Sequence, residues 1–329
     1  MAGREAPRTA TVRRRGKRRA PRKERRPMTL VDVHIQDRYP TRVESGSDRK
    51  WITSDEPTVR SGAQEGPASA EELDEHARNG FHIQRDLLSD QEVGACLDEL
   101  KAMTDDPAIR SDERTIIEPA SEEVRSVFDA HLLSDRIARL IREPRILDRA
   151  RQILGSEVYV HQSRVNFMPG FRGTGFYWHS DFETWHAEDG MADMAAVSMS
   201  IGLTDNHPFN GGLMLMPGAH RTFVPCLGRT PDDNYRSSLK AQKVGVPQEE
   251  DIAELARRHG IEQFTGPSGS ALWFDCNSMH GSGNNITPYP RSNIFVVFNS
   301  VENALVEPFA ARERRPGFVA SRDFTPLRA

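Results

Sequence analysis

Two residues apart in FYWHSDFETWH, residues 176–186, stand an imidazole and a carboxylate, His179 and Asp181. In an extended strand that spacing sends both side chains off one face. A second imidazole from a distant strand would complete a facial set of two histidines and one carboxylate. Such a set leaves three coordination positions open, which suits nonheme Fe(II) that must bind a chelating cosubstrate and oxygen together.

His186, His207, His220 and His280 are the candidates for the third ligand. His186 lies close behind Asp181 and would need a tight fold-back. His220 follows the turn in LMLMPGAHR, where capping or packing accounts for it. His280 ends WFDCNSMH, a strand running into a glycine-rich turn, and Arg291 opens the next strand, PRSNIFVVFNS. A keto diacid such as 2-oxoglutarate chelates metal at its keto acid end. Its distal carboxylate then needs a planar, permanently charged partner. His280 together with Arg291 supplies both requirements.

The elements that must position these groups fall into two textures. From Val158 onward, VYVHQSRVNF, FYWHSDF, AVSMSIGL, GLMLMPG, SALWFD and SNIFVVFNSV predict six strands or more. NHPFNGG, PGAHR and GSGNNITPYP separate them as turns, with one helical insertion near 248–259. Residues 69–155 read as mostly helical. Capping boxes open at Ser69 and Ser89, and further helices are expected over 135–141 and 144–154, the second with Pro144 at its start and Gly155 just past its end. Strands after helices indicate a mainly β sandwich or barrel with flanking helices, occupying 69–329 as one domain with strands over 156–310. Residues 28–68 read as an extended N-terminal segment.

Of the 329 residues 37% are hydrophobic, and no apolar run approaches membrane-spanning length, so a globular protein without a membrane partner is expected. Residues 1–27 carry twelve Lys and Arg against two Glu, while the whole chain is at -4. That segment reads as a disordered basic arm or an upstream stretch ahead of a start at Met28. The core shows no interleaved bases and aromatics along a groove, so nucleic acid is not expected as a partner. Three widely spaced cysteines without a CxxC pair point to free thiols in the reducing cytoplasm.

The HxD pair, the segment GGLMLMPGAHR, a distal His and an Arg beyond it resemble the Fe(II)- and 2-oxoglutarate-dependent dioxygenases related to phytanoyl-CoA hydroxylase. Within that group, FYWHSDFETWHAEDGM, WFDCNSMHGSGNNITPYPRSN and NSVENALVEPF resemble the ectoine hydroxylases. The resemblance implies a double-stranded β-helix, the jelly-roll or cupin-like core, and a homodimer. It implies iron on His179, Asp181 and His280, and Arg291 on the distal carboxylate of 2-oxoglutarate, with Ser198, Ser282 and Asn166 around the same cosubstrate. It also implies O2 as oxidant and Gln162, Trp185 and Phe274 as contacts to ectoine, with Arg164 a further polar contact. Gln162, Arg164 and Asn166 alternate and should share one strand face. Ectoine is a small zwitterion, so aromatic faces for its amidinium and a donor for its carboxylate are what its site requires.

The chain departs from the family in two places. Met168 stands in Asn-Phe-Met-Pro-Gly-Phe where the family usually has a lysine associated with 2-oxoglutarate, and Thr174-Gly175 replaces a more charged pair. A related hydroxylase of another small zwitterion and a noncatalytic metal-bearing binding protein are the alternative readings. A halogenase is disfavoured because Asp181 fills the position such enzymes leave to chloride.

Overall fold

Alternation along the last long strand sets the layering. Between Arg291 and Ser300, Ile294, Val296 and Phe298 enter one apolar cluster while Phe295 and Val297 enter another. Each face of the sheet is therefore buried against a different layer. In Ala271–Asp275, Ala271 and Trp273 likewise join the first cluster and Leu272 and Phe274 the second.

The computed structural model describes residues 1, 3, 36–46, 49–60, 65–118, 122–239 and 242–329. The expected basic arm therefore lies outside the described residues except for 1 and 3, as do 28–35 of the expected extended segment. Residues 37–329 form one compact unit. Its strands among the described residues are β1 (Ile52–Thr53), β2 (Phe81–Gln84), β3 (Thr115–Ile117), β4 (Val124–Phe128), β5 (Val158–Met168), β6 (Phe176–His179), β7 (Ala196–Gly202), β8 (Leu213–Leu215), β9 (Thr222–Phe223), β10 (Glu262–Gln263), β11 (Ala271–Asp275), β12 (His280–Ser282) and β13 (Arg291–Ser300). A seven-stranded sheet runs in the order β2-β11-β7-β13-β5-β4-β3, and a four-stranded sheet in the order β10-β8-β12-β6. All pairings in both are antiparallel. Leu215 of the smaller sheet shares a cluster with Phe274, Phe295 and Val297 of the larger, so the inner faces meet in a double-stranded β-helix core.

Helices cover the outer face. Pro144–Leu154 presents Ile146, Leu147, Ala150, Ile153 and Leu154 to it, one stripe at helical period, and stops at Gly155 in the left-handed conformation. Both expected capping boxes are present, at Ser69 and Ser89. The part expected to be mostly helical also holds β2, β3 and β4, which lengthen the large sheet at both edges. They are short, β3 pairs only with β4, and β4 and β2 find their further partners β5 and β11 later in the chain, so local pattern gives them little signal. No helix among the described residues is long and apolar enough to cross a membrane.

One irregularity in β5 matters for the site. Val160 pairs with Phe298 and Gln162 with Val297, which leaves His161 as an extra residue, a β-bulge. The bulge changes parity. Val158 and Val160 pack under the helices, whereas Gln162, Arg164 and Asn166 beyond it face the cavity described below.

At the end of β11, Asp275 is 6% exposed and accepts from the Asn277 N–H at 2.8 Å. Burial pushes its carboxyl up to about 7. A proton held more tightly in the folded chain favours folding in full below the ordinary value of 3.8, and this contribution is lost as pH rises toward 7. Asp275→Asn keeps the acceptor and removes the titration. Its stability relative to wild type should climb between about pH 4 and about pH 8 in urea titrations. A difference independent of pH would show that the Asp275 charge is not penalised.

Candidate active site

The smaller sheet brings two distant histidines together by register. β12 runs antiparallel to β6 with His280 directly opposite His179, and their ring centroids are 4.2 Å apart. Each ring is oriented from behind. Tyr177 O lies 2.7 Å from His179 Nδ1, and Ser278 O lies 2.9 Å from His280 Nδ1. A carbonyl can only accept, so both Nδ1 atoms carry the proton and both Nε2 lone pairs face forward. Burial lowers the His280 imidazole to about 4, keeping it neutral near neutral pH.

Asp181 completes the group from a different element than expected. β6 ends at His179, and Asp181 is the first residue of a helical turn, Asp181–Thr184, that continues as a π-turn, Trp185–Asp189. Ser180 between them keeps extended backbone (φ -107°, ψ 129°), so His179 and Asp181 still leave one face as their spacing predicts. Asp181 Oδ1 is 3.6 Å from His179 Nε2, and Oδ2 is 3.9 Å from His280 Nε2. Burial opposes its ionisation, but the neighbouring His280 and His179 outweigh that and hold the carboxyl below its usual range. One ligand atom from each of the three residues lies within 4.8 Å of the others. Asp181 Oδ2 is buried without a hydrogen-bond partner, an unspent acceptor that a cation would satisfy. Two imidazoles and one carboxylate fit a divalent transition metal, Fe(II) among them.

These groups open on a cavity of about 180 Å³ whose lining includes Gln162, Arg164, Asn166, Met168, Trp185, Phe274, Ser282 and Arg291. Arg291 opens β13 half-buried; its Nε has no partner, and the nearest acceptor to Nη2 is the Met168 sulfur at 3.8 Å. Burial lowers this guanidinium to about 10, so it remains charged and lacks an anion. Phe274 meets His280 edge-on at 5.1 Å, and Trp185 is 3% exposed. Arg164 stacks over Phe295 at 4.3 Å and donates to Gln162 Oε1 at 3.0 Å. Gln162 Nε2 donates to Val319 O at 2.6 Å, so its amide is used on both sides within the protein.

Other expectations are redistributed. Ser282 Oγ accepts from the Phe176 N–H at 3.0 Å, and Asn166 bridges Ser126 and Asn293 at 2.8 and 2.9 Å. Ser198, expected beside the cosubstrate, does not line the cavity. In register it stands between Phe274 and Val297 in the apolar layer, and Ser200, one inward position along, reaches the cavity instead. His186 is no ligand: its Nδ1 faces Met191 O at 2.8 Å, its Nε2 faces Asp37 at 3.0 Å, and Phe309 stacks on it at 4.0 Å. Sequence reasoning missed Thr184 and Arg315, which also line the cavity. Arg315 Nε donates to Asp189 Oδ1 at 2.7 Å, and nothing in RERRPGF marks it among its neighbours.

Residues 77–293 match the phytanoyl-CoA dioxygenase (PhyH) family. An ectoine dioxygenase of Nocardia farcinica is 60% identical over 291 residues, 88% of this chain and 95% of that protein. The crystal structure of EctD from S. alaskensis with bound Fe is 44% identical with a TM-score of 0.80, covering 89% of this chain and 98% of that one. The same protein with 2-oxoglutarate and 5-hydroxyectoine matches at 44% identity and a TM-score of 0.78 over 87% of this chain and 95% of that one.

Asp181→Ala should abolish Fe(II) binding measured by anaerobic titration. His186→Ala should retain it while costing about 1–3 kcal/mol of stability from its lost hydrogen bonds and stacking. Iron lost from the His186 variant at intact fold would show that the ligand set is wrong.

Proposed function

Since the chain belongs to the phytanoyl-CoA dioxygenase family, and within it to the ectoine dioxygenases, we propose that it hydroxylates ectoine to 5-hydroxyectoine using Fe(II), 2-oxoglutarate and O2. The observation that carries this reading is the convergence of His179, Asp181 and His280 on one cavity with an unpaired Arg291 guanidinium. Bound iron supplies the oxidising chemistry: one oxygen atom enters succinate as 2-oxoglutarate loses CO2, and the other enters a C–H bond of ectoine.

The chain's own residues bind and orient. His179, Asp181 and His280 hold the metal on one side and leave the other to ligands. Arg291 takes the distal carboxylate of 2-oxoglutarate, with Asn166, Ser282 and the Met168 thioether at its flank. A thioether brings no charge, so the grip on that carboxylate falls to Arg291. Trp185 and Phe274 offer faces to the delocalised amidinium of ectoine, and Arg164 offers donors to its carboxylate. Gln162 fixes Arg164 at this edge of the cavity. The apolar walls exclude water from the reacting C–H bond.

As part of the same reading we place the protein in the cytoplasm as a homodimer that makes a compatible solute under osmotic or thermal stress. Three free, buried cysteines support a reducing compartment.

Purified protein given Fe(II), 2-oxoglutarate and ectoine should release succinate and add one oxygen to ectoine by mass spectrometry. Stoichiometric ectoine binding without succinate would overturn the enzyme reading in favour of a binding protein. Arg291→Leu should raise the KM for 2-oxoglutarate by about a hundredfold, the loss of a charge-assisted bidentate contact. Removal of residues 1–27 should leave turnover unchanged, and an inactive truncation would give the basic arm a role.

A further inference from the structure

We propose that Arg42, far from the metal ligands in sequence, is a positioning residue for the substrate side of this site: through Glu183 and Glu188 it sets the turn carrying Thr184 and Trp185. The inference rests on the ectoine hydroxylase reading.

The Arg42 guanidinium spans two buried carboxylates. Nε donates to Glu183 Oε1 at 2.7 Å, and Nη2 donates to Glu183 Oε2 at 2.9 Å and to Glu188 Oε1 at 3.1 Å. Thr41 adds a 2.6 Å bond to Glu183. The acids flank Thr184 and Trp185, which both line the cavity. The same guanidinium reaches the connection between β9 and the helix Glu249–His259. Arg42 Nη1 donates to Thr230 at 3.3 Å, and Asn234 donates to Glu188 at 2.7 Å. Within that connection Gln242 lines the cavity and donates to Thr184 Oγ1 at 3.1 Å. Gly245, at φ 75°, packs against the ion pair so closely that a Cβ there would lie 2.3 Å from Arg42 Nη2. One buried cation thus ties the metal-binding turn to the segment facing it.

Stability alone is a poor account of this arrangement. One guanidinium against two buried acids is a costly cluster that apolar packing could replace, whereas fixing a register is the best-attested use of such pairs. Arg42 also holds a left-handed backbone at φ 58°, a conformation that persists only where surroundings enforce it. Asp181 is fixed separately, by the Phe182 N–H donating to Cys276 O at 2.8 Å, and Arg291 lies on β13. Disturbing Arg42 should therefore loosen the ectoine side and spare the iron and 2-oxoglutarate sides.

The test uses Arg42→Lys, which keeps the charge and loses the planar fork, and the charge-free triple variant Arg42→Met, Glu183→Gln, Glu188→Gln. In each, the KM for ectoine should rise about tenfold while the KM for 2-oxoglutarate and Fe(II) affinity stay within about twofold. An unchanged ectoine KM in Arg42→Lys, or equal rises for both substrates, overturns the proposal. Failure of both variants to fold also overturns it, because Arg42 is then a structural residue. Wild type assayed alongside separates the two readings, since absent ectoine turnover there would be a failure of the hydroxylase assignment itself.

Discussion

Burying carboxylates is the constraint around which this molecule is arranged. Asp181, Glu183, Glu188 and Asp189 are all buried within one short turn. Each carboxylate taken out of water must find a cation or several donors, or its cost would unfold the segment. The chain answers from both of its ends. Arg42 arrives from before the helices for Glu183 and Glu188, and Arg315 arrives from beyond the last strand for Asp189. Asp181 alone among the four keeps a buried oxygen without a hydrogen-bond partner, and it faces the two imidazoles. The turn concentrates negative charge and leaves one acid for the metal.

The cavity has the opposite bias. Arg164 and Arg291 line it and make no ion pair with a carboxylate among the described residues. Burial shifts both guanidiniums downward, Arg164 despite the counteracting charge of Asp181. Such sites favour anions before any anion arrives, and preorganised charge needs no rearrangement during the reaction. A doubly negative cosubstrate and a zwitterion bearing a carboxylate suit that field. The aromatic walls, Trp185 and Phe274, suit the cationic end of such a zwitterion.

Much of this was legible in the chain because it depends on local pattern. His280 and Arg291 announce themselves at a turn between two apolar strands, and alternation alone puts Gln162, Arg164 and Asn166 on one face. What escaped depends on tertiary contact. The helical turn that starts at Asp181 gives no sign of itself in the strand-like run, and the bulge at His161 is invisible without its partner strand. Ser198 looked available by residue type and is enclosed by its neighbours in register. Arg42 and Arg315 are ordinary arginines among many in sequence, and only the acids they meet distinguish them.

The extra residue in β5 divides that strand into two evolutionary jurisdictions. Before His161 the even-numbered positions answer to the helical layer, and any change there is judged by packing. After it they answer to the cavity, and change is judged by chemistry. Substitutions at 162, 164 and 166 can therefore explore new small zwitterions without reopening the core. A one-residue deletion just beyond the bulge, at Ser163, would instead exchange the faces that follow, placing Arg164 under the helices and Val165 in the cavity.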